Sequence, residues 1–175
     1  MEAQLSFLER IFGEKKQREP LLPLYHAIVA AARDKSWYLE GRVPDTVDGR
    51  FDMLAATMAL VLLRLEDEGE AARQRSVLLT EIFVEDMDGS LRQIGIGEYV
   101  VGKHIGRLMG ALGGRLTAFR AARADGDFEA AVRRNIYHDS PPSEEALALV
   151  AERLRALDAA LRATPAEDLL AGRIP

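Results

Sequence analysis

The chain has 175 residues, 48% of them apolar, which is enough for one domain with a substantial core and too apolar to remain disordered. A formal charge of −5 argues against generic nucleic-acid binding, which needs a basic field around the phosphates, although local basic clusters remain. The absence of cysteine excludes disulfides, thiol catalysis and cysteine-ligated metals, and is consistent with a reducing compartment.

Apolar positions recur at helical spacing almost everywhere, and nothing alternates convincingly with period two. The expected fold is all-α: a compact single-domain helical bundle of about seven or eight helices with no significant sheet. Residues 1–18 read as an amphipathic helix with a basic linker, and residues 19–175 as the helical domain. The first helix, over residues 4–12, carries Leu5, Leu8, Ile11 and Phe12 and stops at Gly13, with Lys15, Lys16 and Arg18 following. An apolar face followed by cations suits a membrane surface, docking on the domain, ribosomal RNA or a partner protein. Glu2 and Glu9, without a long apolar run, fit neither a secretory signal nor a transit peptide, so the expected location is cytoplasmic.

Pro20 and Pro23 sit near the start of a helix reaching about Arg33, since proline is tolerated in a first turn. Trp37 and Tyr38 fall in the following connection, where such a pair covers one end of a helical core. PDTVDGR reads as a turn cluster in which Asp45 and Thr46 fix the approach to the next helix. That helix, residues 51–68, is the most hydrophobic and belongs at the centre, closing at Gly69. Another helix follows over residues 77–87, with Gly89 near its end or at a bend. Gly95 and Gly97 mark a break before a long helix that runs through VVGKHIGRLMGALGGRLTAFR. A short helix over residues 127–137 stops at Ser140-Pro141-Pro142, Ser143 caps the next to about Arg162, and Thr164-Pro165 opens a last short one ending at Gly172.

In the long helix Gly102, Gly106, Gly110 and Gly114 recur at every fourth position, at a cost of roughly 0.5–1 kcal/mol each relative to alanine. Close approach of another backbone is the ordinary compensation. Val101, Ile105, Leu108, Met109, Leu112, Leu116 and Phe119 form an apolar stripe expected in the core, with Gly102, Gly106 and Gly113 along its edge. The expectation is helix packing at those three glycines and an accessible surface at Gly110 and Gly114. Lys103, His104, Arg107 and Arg115 interrupt any membrane span.

The acidic groups Asp45/Asp48/Asp52 and Glu85/Asp86/Asp88 offer oxygen ligands for a hard cation, but the best alignment to a calcium loop puts Val84 first and Gly95 twelfth, where acids are required. Capping and solvated turns are the expected roles of these aspartates. His138-Asp139 resembles the dipeptide of helical metal-dependent phosphohydrolases, yet runs straight into Ser-Pro-Pro; a helix-terminal histidine is the expected reading. No zinc-protease, serine-hydrolase or phosphate-loop motif is present, so no catalytic or metal site is assigned.

An ordered set runs through residues 21–137: Pro44-Asp45-Thr46, Arg64-Leu65 with Glu68-Gly69, Glu85-Asp86-Met87-Asp88, Ile94-Gly95, Lys103 and Arg134-Asn135. In this order it resembles the ubiquinol–cytochrome c chaperone family, bacterial relatives of the mitochondrial assembly factors for cytochrome b. The resemblance implies a non-catalytic, cofactor-free chaperone whose client is cytochrome b or its nascent chain, with the ribosome, a small partner protein and the inner membrane's cytoplasmic face as further contacts. No sequence-specific nucleic acid is implied. The expected client or partner residues are Lys103, His104, Arg107, Gly110, Gly114, Asp86, Asp88 and Arg134. Leu5, Leu8, Ile11, Phe12, Lys15 and Lys16 are the expected membrane or partner contacts. The competing classes are a peripheral membrane adaptor and a metal-dependent hydrolase.

Overall fold

The computed structural model describes residues 16–93 and 98–175, with side chains at 91 and 98–102 left aside. A 3₁₀ turn, Glu19–Leu21, leads into α1 (Leu22–Ala32), followed by α2 (Lys35–Leu39) and α3 (Val47–Glu66). A second 3₁₀ turn, Gly69–Ala72, precedes α4 (Arg73–Gln93) and α5 (Glu98–Asp125), then α6 (Phe128–Asn135), α7 (Glu144–Ala163) and α8 (Ala166–Leu170). The described residues contain no strand, and the all-α expectation is met.

α3 is the axis of the bundle, packed by α1, α4, α5 and α7. Its run from Met53 to Leu65 is buried on every side, as a helix apolar all round must be. One polar member of that run is Arg64. Its Nε donates to the Leu161 carbonyl at 3.0 Å and its Nη2 to the Thr164 carbonyl at 3.0 Å. These carbonyls lie at the end of α7, where the helix itself supplies few donors. Arg64 also pairs with Glu68 at 3.0 Å, so one residue of the ordered set holds the end of α3 onto α7 and another holds that residue in place.

Several boundaries differ from expectation. α3 starts at Val47, four residues before Phe51, because Thr46 accepts a hydrogen bond from the Gly49 amide at 3.1 Å and turns the presumed loop into a first helical turn. Trp37 and Tyr38 lie on α2, a helix in its own right. As expected they cover the end of the core: Trp37 Nε1 donates to the Ala31 carbonyl at 2.8 Å and the Tyr38 hydroxyl to Ala32 at 2.9 Å. α4 is longer than expected at both ends and carries Gly89 inside it. Thr164 closes α7, donating its hydroxyl to the Ala160 carbonyl at 2.8 Å, and so does not cap α8. Asp127 and Ser143 do cap α6 and α7. The expected helix over residues 4–12 and the glycine break at 95 and 97 lie outside the described residues.

Asp34 caps α2 by accepting from the Ser36 amide at 2.8 Å. The hydrogen bonds from Ser36 hold its carboxyl below the ordinary value of 3.8. A depressed acid contributes stability above its unfolded value and loses it as pH falls through the folded one. Asp34→Ala should therefore cost ~1 kcal/mol at neutral pH. Urea denaturation of both proteins should show the gap narrowing once pH drops below the ordinary carboxylate range.

Candidate functional site

Between α4 and α5, floored by α3, runs a groove of about 580 Å³. Val77, Thr80 and Val84 line it from α4, Met109 and Leu116 from α5, and Leu62 from α3. The hydroxyls in its wall are already engaged within their own helix, Ser76 donating to Ala72 and Thr80 to Ser76 at 2.8 Å. The surface presented is accordingly apolar. Val77 is 52% exposed and Met109 41%, two of the few large apolar side chains left in water among the described residues. The rim is acidic: Glu66, Glu81 and Glu85 border it, with Arg18 pairing Glu81 at 2.8 Å as well as Glu85. At one end Glu66 is clasped by Arg120 through both oxygens, at 3.0 and 2.8 Å.

The α5 side of the groove continues onto the glycines. Gly106, Gly110, Gly113 and Gly114 are all exposed, and a Cβ built at any of them meets nothing within 4 Å among the described residues. Packing at Gly106 and Gly113 is thus overturned, while an accessible surface at Gly110 and Gly114 holds; Gly102 lies among the side chains left aside. The cause is Arg115. Drawn inward to Asp52, it makes Leu112, Arg115, Phe119 and Ala122 the buried line of α5 and leaves the Met109–Leu116 side turned outward. Exposed Lys103 and Arg107 share the solvent side of α5 with Gly110 and Gly114, and His104 is half-buried beside them.

Other candidate residues fall elsewhere. Asp86 accepts the Tyr25 hydroxyl at 2.7 Å and ties α4 to α1, and burial pushes that phenol well above its ordinary value. Asp88 pairs with Arg92 one turn on, at 2.9 Å. Arg134 is exposed on α6, and Lys16 is exposed ahead of the first 3₁₀ turn. Leu5, Leu8, Ile11, Phe12 and Lys15 lie outside the described residues. The groove-lining Val77, Thr80 and Val84 were not singled out in the sequence; the signal available was a large apolar residue in a helix otherwise rich in charge.

The acidic clusters hold one surprise. Asp52 is not a solvated turn residue: it is 4% exposed, bound by the Arg115 guanidinium and 2.8 Å from His138 Nε2. Burial lifts its carboxyl above the ordinary range, against the opposing pull of His138 and Arg115. Arg115 also donates to the Asn135 carbonyl at 2.8 Å, so the cluster joins α3, α5 and α6. His138 and Asp139 adopt left-handed φ of 49° and 62°, and the imidazole faces Asp52. Among the described residues no cluster of His, Asp and Glu is arranged to hold a metal.

Comparison with known proteins matches the ubiquinol-cytochrome C chaperone family over residues 39–175. The chain belongs to that family. The match takes in α7 and α8, beyond Tyr137 where the ordered residue set ends. A solved structure, the crystal structure of the Cbp3 homolog from Brucella abortus, is similar at 34% sequence identity and a TM-score of 0.77, over 95% of this chain and 94% of that one. No curated protein matches. Within this chaperone-family chain, no described helix is long and apolar enough to cross a membrane. Several of the ordered residues are scaffold: Asp45 pairs with Arg50 at 2.6 Å, Thr46 caps α3, Arg64 joins α3 to α7 and is held by Glu68, and Asp86 holds Tyr25. Lys103 and Arg134 have no such partner among the described residues.

Proposed function

We propose that the protein is a non-catalytic assembly chaperone for the ubiquinol–cytochrome c reductase complex, receiving an apolar helix of cytochrome b or of its nascent chain along the α4–α5 groove. The observation that carries this is the groove itself: an apolar trough lined on α5 by Met109 and Leu116, beside which Gly106, Gly110, Gly113 and Gly114 lie exposed. Glycine normally costs a helix roughly 0.5–1 kcal/mol per residue, and among the described residues no packing at Gly106, Gly110, Gly113 or Gly114 offsets it. A client backbone laid against those glycines reaches closer to α5 than any side chain would permit, which is helix-in-groove recognition with a low rim. Lys103 and Arg107, on the neighbouring face, suit an anionic surface such as ribosome, lipid headgroup or the client's acidic loops. This work takes place at the cytoplasmic face of the inner membrane.

Two readouts test it together. Gly106→Leu and Gly113→Leu should leave melting unchanged or raise it, worth up to ~1 kcal/mol each from helix propensity. The same variants should lose most of their capture of cytochrome b in pull-downs from cells. Photo-crosslinkers at positions 77 and 109 should label cytochrome b, and labelling confined to unrelated proteins would remove the client assignment.

A further inference from the structure

We propose that the α4–α5 groove selects its occupant by electrical polarity: the apolar helix it receives carries Lys or Arg at one end, and that end lies over Glu81 and Glu85. The inference rests on the groove as a helix-receiving site and adds the chemistry of the helix's flank. Among the described residues lining the groove stand the carboxylates of Glu66, Glu81 and Glu85, with Arg18 as their cation. The three acids are not equivalent. Glu66, beside Ser76 and Val77, is matched through both oxygens by Arg120. Glu81 and Glu85 share the guanidinium of Arg18, which leaves one negative charge in surplus there. Glu85 lies about two turns, ~12 Å, beyond Val77 along α4, so the surplus sits toward one end of the trough.

A membrane helix has the complementary pattern, an apolar run with Lys or Arg gathered on its cytoplasmic flank. Laid in the groove, its apolar side meets Val77, Val84, Met109 and Leu116 while its cationic flank meets the surplus charge. Glu81 and Glu85 are 43% and 65% exposed even while paired, so an incoming cation reaches them without disturbing the fold. Arg18 is then a place-holder: an ion pair open to water shifts an equilibrium by about fivefold at most, and exchange of one cation for another keeps the charges balanced. A helix ending in carboxylates is repelled at the same point, which is how like charge refuses a wrong partner. Lys103 and Arg107 stand on the solvent side of α5 and are not among the lining residues.

Anisotropy titrations of the full-length protein decide it, with a fluorescent Leu/Ala helical peptide ending in lysines and a twin ending in glutamates as probes. On the unaltered protein the lysine-ended peptide should bind about tenfold tighter at low salt, and the gap should shrink as salt screens it. Glu81→Gln with Glu85→Gln should erase the preference. Arg18→Gln removes the competing cation and should tighten the lysine-ended peptide about twofold. Equal binding of the two peptides, binding of neither, or a preference that survives the double Gln variant overturns the proposal. So does weaker binding of the lysine-ended peptide to Arg18→Gln at unchanged melting, which makes Arg18 part of the receiving surface. Charge preference without cytochrome b labelling from positions 77 and 109 supports this selectivity and removes that client; labelling with equal peptide binding does the reverse.

Discussion

Asp52→Ala should be among the most destabilising single substitutions in the chain, costing ~3–5 kcal/mol, because it leaves the Arg115 guanidinium buried without its counter-charge. Both side chains are 6% exposed, and among the described residues Arg115 Nε already lacks a hydrogen-bond partner. The remaining contacts of Arg115, to the carbonyls of Ala111 and Asn135, offer partial dipoles where a full charge stood. Replacing both residues at once, Asp52→Leu with Arg115→Met, should recover most of the loss, since a well-packed apolar pair often equals a buried ion pair. His138→Ala should cost far less: its side chain is 67% exposed and water can replace it. Urea denaturation of the three variants decides the matter; a double variant as unstable as Asp52→Ala would mean that the cluster contributes shape as well as charge.

Gly49→Ala should be the second severe substitution, although alanine is the better helix former. A Cβ at position 49 would collide with the Pro44 carbonyl oxygen, a backbone atom that has no rotamer to swing away. The first turn of α3 would have to separate from the segment that precedes it, undoing the Thr46 cap and displacing Asp45 from Arg50. Overpacking of this kind typically costs ~1–3 kcal/mol, and losing the cap adds about another 1 kcal/mol. Thermal melting should place Gly49→Ala far below Gly113→Ala, where the added methyl meets open space. Equal melting of the two would refute the close approach.

Local signals were readable in the sequence. Ser143 and Asp127 announce their helices because a cap acts within three residues, and the uninterrupted apolar run of α3 can only be central. What the sequence concealed depends on distance. Asp52 finds Arg115 63 residues away and His138 86 away, so its burial cannot be seen among the neighbouring aspartates. The same pairing decided which side of α5 faces inward, and with it whether the glycines were packed or open. The groove is a product of three helices meeting, and periodicity along any one of them places Met109 and Leu116 in the core stripe.

Arg64 also sets a schedule for the protein's own birth. The carbonyls it satisfies belong to residues 97 and 100 positions later, so α3 cannot complete its surroundings until α7 has been synthesised almost to its end. During that interval the central helix of the bundle, with Leu60, Leu63 and Leu65 destined for full burial, is on the ribosome without its cover. Synthesis at about 5–20 residues per second makes that exposure last several seconds. A protein proposed to shelter the greasy helices of another chain thus begins life with the same problem, and must solve it from within before it can serve.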